Sequence, residues 1–137
     1  MPWEARPGEA VLNIGVEATS WSLKRGYGRF VRELLQALVP HSRHQFTFFS
    51  DETSADHPFP PGARVQHVST PRSNSQATLR GAARPWRNLV AMSWALSRSR
   101  LDALLFPSDY AFVPVFGKAR RVVVMHDITA HLYPHLT

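Results

Sequence analysis

The chain has 137 residues, of which 44% are hydrophobic, so it can bury the core of one domain. It contains no cysteine, which excludes disulfides and cysteine-ligated metals and is typical of a reducing compartment. The formal net charge of +6 favours anionic partners such as nucleotides, phosphates, acidic lipids and nucleic acids. The start of the chain has no apolar signal segment, and no apolar run is long enough to cross a bilayer, so we expect a cytoplasmic protein.

The apolar pattern predicts strands and helices that alternate along the chain. A helix is expected over 29–39, ended by Pro40, and a second over 85–98. This order favours a doubly wound, mainly parallel α/β sheet with strand order 3-2-1-4-5. The five strands are predicted at 10–17, 45–50, 64–68, 102–107 and 121–125. The buried helix faces are predicted to be Phe30, Val31, Leu34, Leu35 and Leu38 in the first helix, and Trp86, Leu89, Val90, Trp94 and Leu96 in the second.

The last predicted strand carries the clearest functional signal. Its run of three valines, 122–124, indicates a strand buried on both faces. His126 and Asp127 follow directly and would lie at the carboxyl end of the strand, where open parallel sheets bind ligands. Two interpretations remain open: a ligand-binding pair, or a polar turn in which His126 is only solvated.

A glycine pair, Gly26 and Gly28, lies between the first strand and the first helix. Glycines there let backbone N–H groups approach a phosphate, and the helix N-terminus adds a favourable dipole. The pattern does not fit a nicotinamide fingerprint or a Walker lysine motif. The alternative is a turn in which the glycines only supply positive φ angles.

No metal site is predicted. His131 and His135 are four residues apart, but Pro134 breaks the helix that would align them. The sequence also has no Gly-x-Ser-x-Gly elbow, so nothing supports acyl-transfer hydrolysis.

Four motifs in this order resemble the N-terminal half of family 4 retaining glycosyltransferases, which have the GT-B fold. They are the strand end 14–17, the glycine loop and helix 26–38, the strand 101–107, and the segment 122–134. The resemblance spans nearly the whole chain, and the order of the motifs makes it specific. One departure is Tyr27, because the family often has isoleucine or valine between the two glycines.

The resemblance implies a reaction and a set of site residues. In such enzymes two Rossmann-like domains face each other, and the N-terminal domain mainly holds the acceptor. A sugar would pass from a nucleotide-sugar donor to an acceptor hydroxyl with retention, without a metal or other cofactor. The resemblance implies that His126 contacts the transferring sugar, with Asp127 beside it as the second catalytic residue. Substrate binding is assigned to Gly26, Tyr27, Gly28 and Arg29, with the glycines facing the donor diphosphate or the acceptor.

The resemblance also implies that residues 1–137 form one incomplete domain without its donor-binding partner, so we expect the isolated chain to be inactive. The last strand would then have an open edge, which predicts self-association. The alternative function is a non-enzymatic basic α/β module that binds nucleic acid or acidic membrane. For the transferase, no specific nucleic acid is expected, and peripheral contact with the inner face of an anionic membrane is left open.

Overall fold

The structure is a computed structural model that describes residues 8–24, 26–51, 57–70, 85–126, 128 and 132–136. Its strands are β1 (Asn13–Glu17), β2 (Gln45–Ser50), β3 (Arg64–His67), β4 (Ala103–Phe106) and β5 (Arg120–Val123). Its helices are α1 (Tyr27–His41) and α2 (Trp86–Arg98), with 3-10 helices at Asp109–Ala111 and Pro134–Leu136. All strand pairs are parallel, in the order β3-β2-β1-β4-β5. The predicted α/β fold and strand order are therefore confirmed.

The two helices cover opposite faces of the sheet, because neighbouring strand residues point to opposite faces. Phe48 and Phe49, adjacent in β2, belong to different hydrophobic clusters. The α1 cluster includes Val16, Phe48, Val31, Leu35 and Val39. The α2 cluster includes Phe49, Leu104, Phe106, Met92 and Leu96. This two-sided burial leaves the carboxyl ends of the strands as the exposed edge at which loops can form a site.

Helix α1 is longer than predicted at both ends. It starts at Tyr27 rather than Arg29, and it continues through Pro40 to His41. Proline removes one helical hydrogen bond, and in the last turn that loss is small enough for the helix to continue. The predicted buried face is only partly right, because Phe30 and Leu38 are each 39% exposed.

Strand β5 is not buried on both faces, so that prediction is wrong. The strand is Arg120–Val123, so it begins one residue earlier and ends two residues earlier than predicted. Val122 is 54% exposed. Val123 packs against the α2 cluster, whereas Val122 lies on the opposite face of the sheet. Among the described strands, β5 pairs only with β4 and forms one end of the sheet.

Helix α2 buries a different face from the one predicted. Its buried residues are Asn88, Met92, Ala95 and Leu96, and of the predicted apolar face Leu96 is buried and Leu89 is partly buried. The other three predicted residues, Trp86, Val90 and Trp94, are 68%, 57% and 68% exposed. In the sequence, Arg80, Arg84, Arg87 and Arg98 would share one line if the helix ran through Pro85, a pattern more typical of a solvated helix face than of a binding stripe. Arg80 and Arg84 lie outside the described residues, and Arg87 and Arg98 are exposed.

The connection from β4 to β5 crosses the α2 side of the sheet without a helix of its own between residues 112 and 119. Val113 and Val115 are buried, while Phe112, Pro114 and Phe116 are exposed. The sequence indicated only a loop here, but the alternation shows an extended segment with one face in the core. Two α2 side chains bind its backbone: Ser93 Oγ donates to Pro114 O, and Ser97 Oγ accepts from Phe116 N.

The open edge of β5 predicts self-association of the 137-residue chain. No strand in the described part of the chain neighbours this edge, so its backbone groups can pair with those of a second copy. Val122→Lys places a charge on the exposed face of the strand, so sedimentation velocity should show less association than in the parent. Val65→Lys on the other edge strand is the matched control, since Val65 is 51% exposed. A parent chain that is monomeric at every concentration contradicts this prediction.

Candidate functional site

His126 lies just beyond the carboxyl end of β5, where the sequence predicted it. Its Nε2 atom is 2.9 Å from the carbonyl oxygen of Pro107, the residue that follows β4. A carbonyl oxygen only accepts hydrogen bonds, so Nε2 carries a hydrogen. In the neutral ring, Nδ1 is then the nitrogen that can accept a hydrogen bond from a ligand.

Two aromatic rings from the first turn of α1 contact the imidazole of His126. The ring centroid of Phe30 is 4.4 Å away and that of Tyr27 is 4.8 Å away, both in edge-to-face geometry. Tyr110, in the 3-10 helix after β4, extends this group at 5.2 Å from Tyr27 and is 69% exposed. We call Tyr27, Phe30, Tyr110 and His126 the aromatic site.

The aromatic site lies at the switch point of the sheet. From the neighbouring strands β1 and β4, the chain order runs outwards in opposite directions, to β3 on one side and β5 on the other. Ligands of open α/β sheets bind at the carboxyl ends of the strands that flank such a point. Tyr27 and Phe30 come from the helix that follows β1, and Pro107 and Tyr110 come from the segment that follows β4.

The N-terminus of α1 adds a site for negative charge next to these rings. Its N-cap is Gly26, with a φ of 50°, and no side chain caps the helix within the described residues. The first turn contains no acidic residue. The first backbone N–H groups and the helix dipole therefore favour an anion such as a phosphate.

Gly28 has a different role from the one suggested by the glycine pair. It is buried in the first turn of α1. A Cβ atom at this position would overlap the backbone carbonyl of Leu23, well inside van der Waals contact. Glycine is thus required at position 28 because the backbone of Leu23 approaches it closely. Gly26 differs, since it has open space around its Cβ position and a positive φ.

The loop between β1 and α1 is held by its own contacts. Arg32 Nη1 donates to the carbonyl oxygens of Trp21, at 2.5 Å, and Leu23, at 2.8 Å. Trp21 is fully buried, and its Nε1 donates to the carbonyl oxygen of His57 at 2.7 Å. These bonds fix the loop that leads into Gly26 before any ligand arrives.

Polar side chains are buried almost exclusively at the carboxyl edge of the sheet. Asn88, in the first turn of α2, is the one buried polar residue of the described chain that neither ends nor follows a strand. Burial of polar groups is costly unless they are hydrogen-bonded. Glu17 Oε1 accepts from Thr19 N at 3.4 Å, and Ser108 Oγ accepts from Tyr110 N at 3.2 Å, so these side chains shape the site loops. The edge residues are Glu17, Thr19, Ser20, Ser50, Asp51 and Ser108.

The predicted site residues are only partly brought together. His126 and Tyr27 are in contact, and Gly26 and Gly28 lie in the adjoining turn. Arg29 is exposed on the same turn and makes no hydrogen bond or ion pair with another described residue. Asp127 lies outside the described residues.

Sequence reasoning missed two aromatic residues and a carboxylate at this edge. Phe30 was assigned to the core face of α1, and Tyr110 was not assigned to the site. Glu17 is the last residue of β1 and is fully buried. A charged residue at the end of an apolar strand was a usable signal, whereas the ring contacts join residues that are far apart in sequence.

A groove of about 480 Å³ lies elsewhere, at the C-terminal end of α1. Because α1 runs from the end of β1 to the start of β2, this groove is at the amino edge of the sheet, opposite the aromatic site. Two of its lining residues are already engaged. Arg43 pairs with Glu9 at 2.9 Å, and His44 Nδ1 accepts from Leu12 N at 3.2 Å. We therefore place the functional site at the carboxyl edge.

Fold and geometry together define a Rossmann-like α/β domain with a candidate ligand site at the carboxyl edge of its sheet. No family model and no curated protein sequence matches the chain. In the described parts of the chain, no group of three or more His, Cys, Asp or Glu residues is placed to hold a metal ion. No described helix combines the length and apolar character needed to span a membrane. The functional assignment thus rests on the residues themselves.

Proposed function

We propose that this chain is the acceptor-side domain of a retaining glycosyltransferase, which moves a sugar from a nucleotide-sugar to an acceptor hydroxyl. The observation that carries the proposal is the placement of His126. Its ring is bound to Pro107 O and flanked by Tyr27 and Phe30, at the switch point and beside an uncapped helix N-terminus. The four sequence motifs that resemble family 4 enzymes converge on this edge.

The aromatic site suits a sugar ring. Sugars present both hydroxyl groups and apolar C–H faces, and ligand sites usually combine aromatic walls with a few placed polar groups. Nδ1 of His126 can accept a hydrogen bond from a sugar hydroxyl, since Nε2 is engaged by Pro107. The exposed ring of Tyr110 offers an apolar surface next to that nitrogen.

The N-terminus of α1 suits the diphosphate of the donor. Negative charge develops on the departing diphosphate as the glycosidic bond breaks, and fixed dipoles aimed at that charge lower the barrier. The first N–H groups of α1 and the exposed Arg29 are the groups proposed to bind it. Asp127 is proposed to act beside His126. On this proposal the cytoplasmic reaction requires no metal and no further cofactor.

Binding of nucleotide-sugars to the isotopically labelled chain tests this proposal by NMR. UDP-glucose, UDP-N-acetylglucosamine and GDP-mannose are suitable probes, with binding expected in the millimolar range because the sample contains only the proposed acceptor-side domain. The amide signals of Gly26 and Gly28 and the ring signals of His126 should shift. If none of the three shifts these signals while a single-stranded oligonucleotide does, the alternative of a basic polyanion-binding module replaces the transferase.

A further inference from the structure

The outer face of α2 and the adjacent β4–β5 connection form an exposed apolar surface. Trp86, Val90 and Trp94 follow each other at intervals of four residues, so they form one stripe along the helix. Phe116 lies next to this stripe, because its N–H donates to Ser97 Oγ at 3.0 Å. We call Trp86, Val90, Trp94 and Phe116 the tryptophan patch.

The four apolar side chains of the tryptophan patch are largely exposed to solvent. Trp86 and Trp94 are each 68% exposed, Val90 is 57% exposed and Phe116 is 76% exposed. Single exposed apolar residues are ordinary, but contiguous ones of this size mark interaction surfaces. The buried face of the same helix already packs on the sheet, so the patch is not required for the core.

Positive charge surrounds the tryptophan patch. Helix α2 contains no acidic residue, and the guanidinium of Arg87 lies 5.5 Å from the ring centroid of Trp86. The carboxylate of Asp102, between α2 and β4, already accepts from Asn13 N at 2.7 Å. Four exposed cations on α2 or within two residues of α2 or Phe116 form no ion pair with another described residue: Arg87, Arg98, Arg100 and Lys118.

We propose that the tryptophan patch docks this protein onto a bilayer surface that contains anionic lipid. Tryptophan is the side chain most suited to the boundary between headgroups and acyl chains, since its large ring is apolar and its N–H is polar. Phe116 and Val90 supply purely apolar area beside it. The surrounding arginines and lysine attract the negative headgroups, and each cation near such a surface strengthens binding roughly fivefold.

The charges argue against a second copy of the chain as the occupant. A symmetric dimer through this surface would bring together two sets of four cations that have no ion-pair partner among the described residues, and like charges across an interface oppose association. An anionic bilayer instead complements both the apolar centre and the basic surroundings. The residues differ from those of the aromatic site, so the proposal goes beyond the transferase and does not depend on it.

Sedimentation with lipid vesicles tests the proposal on the unmodified chain. Vesicles with about 30% phosphatidylglycerol in phosphatidylcholine should bind it, and raising the salt concentration should weaken the binding. Vesicles of phosphatidylcholine alone should bind at least about tenfold more weakly, because they offer no net negative charge. No binding to the anionic vesicles overturns the proposal.

Two variants assign the binding to the patch. Trp86→Ser combined with Trp94→Ser should lower vesicle affinity at least about tenfold, because the apolar contact is lost. Arg98→Glu should lower it about fivefold or more. The matched controls lie on β3: Val65→Ser for exposed apolar area and Arg64→Glu for net charge, and both should bind as the parent does.

Each alternative partner for the tryptophan patch predicts a different experimental result. Full vesicle affinity in the double tryptophan variant overturns the proposal, provided that a thermal melt shows the variant is folded. Tight binding of a single-stranded oligonucleotide that the double substitution abolishes, without any vesicle binding, assigns the patch to nucleic acid instead. A concentration-dependent dimer that the same substitution removes, again without vesicle binding, assigns it to a second copy.

Discussion

If the chain belongs to the proposed transferase, replacing His126 by alanine is expected to lower kcat/KM about a hundredfold or more. The loss follows from the removal of the hydrogen-bonding nitrogen at the centre of the aromatic site. Stability should fall by only about 1 kcal/mol, because His126 is half-buried and makes one hydrogen bond, to Pro107 O. Steady-state kinetics and a thermal melt on the same preparation measure both effects.

His67 provides the matched control for that experiment. It is an exposed histidine at the end of β3, remote in the sheet order from β5. His67→Ala should leave kcat/KM unchanged. If His126→Ala retains activity within about threefold of the parent, His126 has no part in the reaction, and the proposed transferase site loses its central residue.

Gly28→Ala is expected to be the most destabilising of the glycine substitutions. Glycine to alanine inside a helix ordinarily stabilises, by about 1 kcal/mol. Here the added methyl group would overlap the carbonyl of Leu23, which Arg32 holds in place. We expect a loss of about 3 kcal/mol and a fall in Tm of about 10 °C, measured by thermal or urea unfolding.

Comparison with Gly26→Ala distinguishes the effect of this overlap from that of backbone strain. Gly26 has nothing within 4 Å of its Cβ position, but its φ of 50° and ψ of −106° lie outside the regions that other residues favour, so the substitution should cost about 2 kcal/mol of backbone strain alone. A Gly28→Ala variant as stable as the parent would contradict the close packing described above. Because a Gly28 variant is expected to lose stability, a loss of ligand binding in it could reflect unfolding. Gly26 is therefore the better position at which to probe phosphate contact.

The sequence was sufficient to predict the sheet, because most of its strands contain a short apolar run, β3 lies in an alternating segment, and turn residues separate them. It was insufficient to predict which face of α2 is buried. Trp86, Val90 and Trp94 are more apolar than the face with Asn88 and Ala95, so amphipathicity selects the wrong side. Val113 and Val115 of the β4–β5 connection belong to the same cluster as the buried α2 residues, so the helix covers that face of the sheet only in part.

The candidate site was predictable only where it is local in sequence. His126 follows its strand directly, and parallel topology places it at the carboxyl edge without further information. Its partners come from α1 and from the segment after β4, and no periodicity links those positions to His126. The role of Gly28 was equally hidden, because the Leu23 carbonyl reaches it through the folded loop.

The bonds that Arg32 makes to the carbonyl oxygens of Trp21 and Leu23 also bear on the thermodynamics of binding. A flexible loop must lose about 1 to 2 kcal/mol of conformational entropy per residue when it closes on a ligand. In this chain most of that loss accompanies folding, since Trp21 is buried and the loop is tied to α1. A ligand at the N-terminus of α1 therefore meets a rigid surface, and its affinity is reduced little by ordering of the protein.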